Sequence, residues 1–209
     1  MKNLVKSLVV ASALSVAGTA SADMFDCVNP VVGIDYYQAW MRSKSDFRSI
    51  NAPNSFPGLT VYVGAKFADC FGLELGYDTS VSNRARNSGQ GFSTKVRRQG
   101  GHLDFIGYMP LDCFDCFELF GSIGWGWLQT RTTFTAIGSG NSVSVGGTRG
   151  NSVLRLGVGA NYMFTECVGA RLKLGYESTS GIRVPTTFLG TVRPFRDSFT
   201  LAAGIFARF

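Results

Sequence analysis

Histidine is nearly missing from this chain: His102 stands alone among 209 residues. With one imidazole and five cysteines, a multi-histidine metal centre is excluded. Charge is also sparse. Asp, Glu, Lys and Arg make up 16%, against about 25% in an ordinary soluble domain. Past the N-terminus no apolar run nears the roughly 20 residues that a spanning helix needs. The mean hydropathy of +0.11 is likewise too low for a helical membrane bundle. No zinc spacing, phosphate loop or cofactor motif occurs, so no cofactor or metal is expected. What the chain does have is glycine (26), phenylalanine (17) and 45% hydrophobic residues. That composition can bury apolar surface and excludes a disordered chain, a coiled coil and a collagen.

The N-terminus reads as an export signal. Lys2 and Lys6 supply the positive flank, Leu8 to Ala17 a short apolar run, and Ala20-Ser21-Ala22 the small-residue cleavage pattern before Asp23. Residues 1–22 are therefore expected to be a signal peptide and 23–209 the mature domain. Export predicts an oxidising compartment and removes the chain from nucleic acid. No cysteine sits at the junction, which argues against a lipoprotein.

Beyond residue 28 the hydrophobic period is two rather than 3.6. Val168, Ala170, Leu172, Leu174 and Tyr176 alternate with Gly169, Arg171, Lys173, Gly175 and Glu177. A strand separates these two sets onto opposite faces, whereas a helix would mix them. The same pattern predicts eight strands, over 30–42, 58–67, 72–83, 99–109, 117–131, 151–164, 168–180 and 197–209. Their connections alternate in length. Short turns fall at 68–71, 110–116 and 165–167, and long loops rich in Ser, Asn, Gly and Arg at 43–57, 84–98, 132–150 and 181–196. An even strand count with short turns at one end and long loops at the other is the layout of an outer-membrane barrel.

Alternation by itself does not say which face is in, since a soluble eight-stranded barrel has the reverse arrangement. The mixed-polar faces carry Asp35, Lys66, Glu74, Asp78, His102, Asp104, Glu118, Arg155, Arg171, Lys173, Glu177 and Arg208. The signal segment, the terminal Phe209 and an axial sorting of charge decide for the membrane version, with these residues inside. Tyr36, Trp40, Tyr77, Trp125, Trp127 and Tyr162 are then expected in or near the interfacial girdles.

The pattern over residues 28–209 resembles the small outer-membrane barrel superfamily: OmpA-like transmembrane domains, OmpX and opacity-type adhesins. The C-terminal stretch Ala202-Ala203-Gly204-Ile205-Phe206-Ala207-Arg208-Phe209 resembles that superfamily's insertion signal, with Gly204 and Phe209 matching it. Ala202 stands where a polar residue is usual, and Ala207 where a larger apolar one is. The resemblance implies an all-β, eight-stranded antiparallel transmembrane barrel delivered by the barrel-assembly machinery. It implies architecture, which hosts many functions.

Charge sorts along the barrel axis. The long-loop end holds Arg42, Lys44, Arg48, Arg84, Arg86, Lys95, Arg97, Arg98, Arg131, Arg149, Arg183, Arg193 and Arg196, against only Asp46 and Asp197. The short-turn end holds Asp23, Asp26, Asp69, Asp112, Asp115 and Glu166 and no base. Forked guanidinium donors match phosphate oxygens. The basic end is therefore expected to contact outer-membrane lipid, lipopolysaccharide in particular. Solvated loop charge and an acidic host polymer are the rival readings.

An eight-stranded barrel is just wide enough for side chains to fill it. Five inward bases and six inward acids predict a paired, plugged interior, with a narrow pore as the alternative. A lipid A enzyme is disfavoured. His102-Leu103-Asp104 lacks the hydroxyl of the His-x-Ser pair in PagL-type deacylases, and His102 lies on the inward face, so no catalytic residue is assigned. Cys27, Cys70, Cys113, Cys116 and Cys167 all fall at the short-turn end, and five thiols cannot all pair within one chain. Intramolecular disulfides with one spare thiol, or a disulfide-linked envelope partner, both remain open.

Overall fold

The computed structural model describes residues 28–43, 54–67, 70–87, 92–110, 116–137, 142–179, 184–186, 190–192 and 195–209. The regular structure there is entirely β. In chain order it comprises β1 (Val28–Ser43), β2 (Ser55–Phe67), β3 (Phe71–Ser80), β4 (Asn83–Asn87), β5 (Phe92–Pro110), β6 (Phe117–Ile137), β7 (Ser142–Met163), β8 (Val168–Thr179), β9 (Val184–Thr186), β10 (Gly190–Val192) and β11 (Phe195–Arg208). β9 and β10 form a separate small hairpin.

Every pairing in the main sheet is antiparallel, and the sheet closes. β1 pairs with β2 and β11, and β11 with β8. The ladder runs on through β7, β6 and β5 to β3, and β3 pairs with β2, which completes the ring. β4 continues the course of β3 past Val81 and Ser82 and pairs with the upper part of β5. The barrel wall is therefore eight strands thick around its circumference, as the alternation implied.

Three strands run further than the alternation of apolar residues suggested. β5, β6 and β7 stay paired through Phe92–Arg98, Thr132–Ile137 and Ser142–Gly150. These segments belong to the regions expected as loops. Ser, Thr and Val fill them, so β propensity persists after the lipid-facing apolar residues stop. Part of the basic end therefore stands on paired strands.

The outward face is apolar. Phe105 is 59% exposed, Trp125 59% and Val158 60%. Trp40, Phe199 and Tyr176 form one register row toward the long-loop end, and Tyr77, Gly101 and Trp127 another. Phe67, Phe71, Tyr162, Phe164 and Phe209 lie exposed toward the other end. From Phe117 to Trp127 the strand covers about 33 Å. At a tilt of about 40° this gives an apolar band about 25 Å tall, the height a lipid bilayer requires. Tyr36 and Trp125 lie lower, opposite Leu59 and Leu103.

Candidate functional site: a filled charged lumen and a basic outer wall

The inward phase of each strand builds the lumen in layers. At the short-turn mouth, Glu118 accepts from Lys66 Nζ at 2.6 Å and from Arg208 Nη2 at 2.6 Å. Above it lie two apolar clusters, Val31 with Tyr62 and Phe206, and Ile106 with Tyr108 and Phe120. The Arg171 guanidinium sits among these rings, 4.7 Å from Tyr62, 5.0 Å from Phe120 and 5.5 Å from Phe206. It donates to Glu74 at 2.8 Å and to Asn161 at 3.1 Å.

The middle layer is centred on Arg155. Its Nη1 lies 2.5 Å from Asp78 and 3.2 Å from Glu177, and its Nε 3.6 Å from Asp104. Lys173 reaches Asp104 at 2.7 Å. His102 Nδ1 is 3.1 Å from Asp78, while its Nε2 is 4.0 Å from Asp104. The adjacent carboxylate in the sequence is thus the more distant one. Toward the long-loop end, Tyr37, Ala39, Met41, Phe56 and Val96 close an apolar layer.

All ten sequence-assigned lumen residues line this interior: Asp35, Lys66, Glu74, Asp104, Glu118, Arg155, Arg171, Lys173, Glu177 and Arg208. Arg98 joins them, which corrects its assignment to the basic rim. It is 2% exposed and donates to Glu177 at 2.6 Å. The reason is phase. His102 and Asp104 are inward on β5, and counting by twos through Gly100 brings Arg98 inward too. Among the described residues the lumen then holds six Lys or Arg against six Asp or Glu, an even balance. A central cavity of about 30 Å³ remains, bordered by Asp35, Tyr62, His102 and Arg155. That is room for about two water molecules.

Asp35 differs from the other lumen acids. It is 4% exposed, yet among the described residues it has no cation within 4 Å, and its Oδ1 has no hydrogen-bond partner. Glycine makes room for two of these carboxylates. A Cβ on Gly204 would collide with Asp35 Oδ1 and the Ile34 carbonyl, and one on Gly124 with Asp104 Oδ1. Gly204, matched to the insertion signal, thus also has a packing requirement.

On the outer wall, Arg42, Lys95, Arg97 and Arg131 are exposed. Arg97 and Arg131 are direct cross-strand partners. Below them come Gln99 with Gln129, joined at 3.4 Å, and then Gly101 with Trp127. Arg84 is the register partner of Lys95, and Arg86 that of Ser93. Among the described residues, neither Arg97 nor Arg131 has an acid within 4 Å; Arg97 donates only to Thr79 Oγ1, at 3.4 Å. Lys44, Arg48, Arg183 and Arg193 lie outside the described residues, as do the signal segment, Cys27 and Cys113. Cys70, Cys116 and Cys167 are free and exposed.

The chain matches the family model of the outer membrane protein beta-barrel domain over residues 7–193, most of its length. The chain belongs to it. Its place is accordingly the outer membrane. Solved members of the same architecture include OprG of Pseudomonas aeruginosa, with a TM-score of 0.58 at 16% identity over 88% of this chain and 96% of that one. A major outer membrane protein of Thermus thermophilus gives 0.58 at 14%, over 85% and 99%. Ail, the attachment invasion locus protein of Yersinia pestis, gives 0.52 at 12%, over 87% and 97%. At these identities the likeness is one of fold. No curated protein matches the chain.

Proposed function

We propose that this outer-membrane barrel is a non-enzymatic envelope protein whose basic outer wall binds the phosphates of lipopolysaccharide. The observation that carries the reading is the Arg97–Arg131 pair. Two like charges directly opposite on neighbouring strands repel each other, and no acid among the described residues relieves them. An anion shared between them turns that repulsion into attraction. Their depth fits. Arg131 is four residues beyond Trp127, about 13 Å along the strand and about 10 Å higher in the membrane. That is the headgroup layer above the aromatic belt. Arg42 stands two residues beyond Trp40 on β1 in the same sense, and Lys95 extends the row upward.

The filled lumen supports a structural rather than a conducting role. Gly204 and Phe209 supply the terminal signal for the barrel-assembly machinery in this reading. The test is the charge reversal Arg97→Glu with Arg131→Glu in refolded, heat-modifiable protein. Lipopolysaccharide affinity is expected to fall at least tenfold, and wild-type affinity to weaken with salt. Retained lipopolysaccharide affinity alongside lost heparin binding would instead assign the wall to an acidic host polymer.

A further inference from the structure

Every cysteine in this chain follows an acidic residue. The pairs are Asp26-Cys27, Asp69-Cys70, Asp112-Cys113, Asp115-Cys116 and Glu166-Cys167. Only 14 of 209 residues are acidic, so five such pairs in five is not a composition effect. The fold gives the pattern a place. Cys70, Cys116 and Cys167 each directly precede a strand that climbs from the short-turn end, namely β3, β6 and β8. Each extends its ladder by one residue through its carbonyl, which accepts from Tyr108 N at 2.7 Å, Met163 N at 2.8 Å and Arg208 N at 2.8 Å. Cys167 is pinned further, since its own amide donates to Thr165 Oγ1 at 3.3 Å. The backbones are anchored while the thiols are exposed and free.

Spacing keeps them from pairing with one another. Around the ring β6 lies two strands from β3 and two from β8, and β3 and β8 lie four apart. Two inter-strand steps are about 10 Å, beyond the roughly 7 Å Cα limit for a disulfide. The short turns of such barrels face the periplasm, an oxidising compartment. Exposed thiols held apart there are available to another molecule. In the sequence the short turns carry Asp69, Asp112, Asp115 and Glu166 and no base, so the turns that bear the thiols are acidic. A second copy of this chain would bring the same sign and be repelled, whereas a cationic polypeptide would be drawn in.

We propose that the periplasmic rim is a thiol–disulfide exchange site that takes a cationic, disulfide-bearing periplasmic polypeptide into covalent linkage with the barrel. A rim thiol loses its proton to solvent, and its sulfur attacks one sulfur of the partner's disulfide. A new S–S bond forms as the old one breaks, and the electron pair leaves on the partner's second sulfur, which takes up a proton. No net oxidation occurs. The proposal concerns the opposite end of the barrel from the lipopolysaccharide wall and stands or falls separately.

The test uses two synthetic peptides of equal length, one rich in Lys and one in Asp, each carrying one cysteine as its thionitrobenzoate mixed disulfide. With refolded, heat-modifiable full chain, adducts are expected at Cys70, Cys116 and Cys167. The Lys peptide should react about tenfold faster than the Asp peptide at low ionic strength, with the ratio collapsing in high salt. Cys70→Ser, Cys116→Ser and Cys167→Ser should each remove one adduct and leave heat-modifiability intact. Equal rates for the two peptides, or no adduct on the folded barrel, overturns the proposal. In outer membranes whose thiols are alkylated before lysis, the chain should migrate on non-reducing gels as a reducible complex with a different polypeptide. A monomer alone, or a complex containing only this chain, overturns it as well.

Discussion

Among the described residues, Arg171 is the only cation within 4 Å of Glu74, whereas Glu118 is held by both Lys66 and Arg208. This difference sets up a quantitative comparison. Arg171→Met leaves a carboxylate that is 4% exposed facing rings and no counter-charge. Breaking a buried ion pair from one side costs about 3–5 kcal/mol. Contacts of Arg171 with three aromatic faces are lost as well. Lys66→Met removes one of two partners, and Glu118 keeps Arg208, so about 1–2 kcal/mol is expected. With a urea slope of about 2 kcal/mol per molar, Arg171→Met should lower the unfolding midpoint by about 2 M and Lys66→Met by less than 1 M. The assay is urea unfolding in lipid vesicles, read by tryptophan fluorescence and heat-modifiable migration. Removing both charges with Glu74→Leu and Arg171→Met should recover most of the loss, because an apolar pair of similar volume leaves nothing unpaired. If the two single variants lose the same stability, or the double variant is the worst of the three, the layered ion-pair account is refuted.

Asp35→Asn should be neutral or stabilising by about 1 kcal/mol in the same assay, because this buried acid lacks an ion pair and the amide removes its charge. Gly204→Val should prevent folding, since even its Cβ meets Asp35 and the Ile34 carbonyl; a heat-modifiable band at wild-type yield would contradict this. In planar bilayers the wild-type chain should give no large stable conductance steps. Arg155→Ala, which empties the node shared by Asp78, Asp104 and Glu177, should raise the frequency of small openings. Large regular steps from the wild type would contradict a filled lumen.

The closed barrel was legible in the sequence because strand geometry is local. A side-chain period of two needs only neighbouring residues to be read, and turn length adds which ends are joined closely. The residues that line the lumen followed from that phase. Arg98 is not legible as a lumen residue because the apolar face stops at residue 99, although hydrogen bonding continues to Phe92. The Tyr37, Ala39 and Met41 layer follows from the same phase, since Asp35 inside with Tyr36 and Trp40 outside puts the odd positions of β1 inward.

Which charge meets which is another matter. Glu74 and Arg171 are 97 residues apart, and Arg98 and Glu177 are 79 apart. Their partnership depends on barrel stagger and on which strands face each other across the lumen, and neither quantity is local. The same holds for the opposed Arg97 and Arg131, which become neighbours only through the β5–β6 register. Sequence by itself determined the cylinder, its inside and outside, and the sign of charge at each end. Tertiary structure alone decided the pairing, since cross-barrel distances are set by how eight strands close rather than by any one of them.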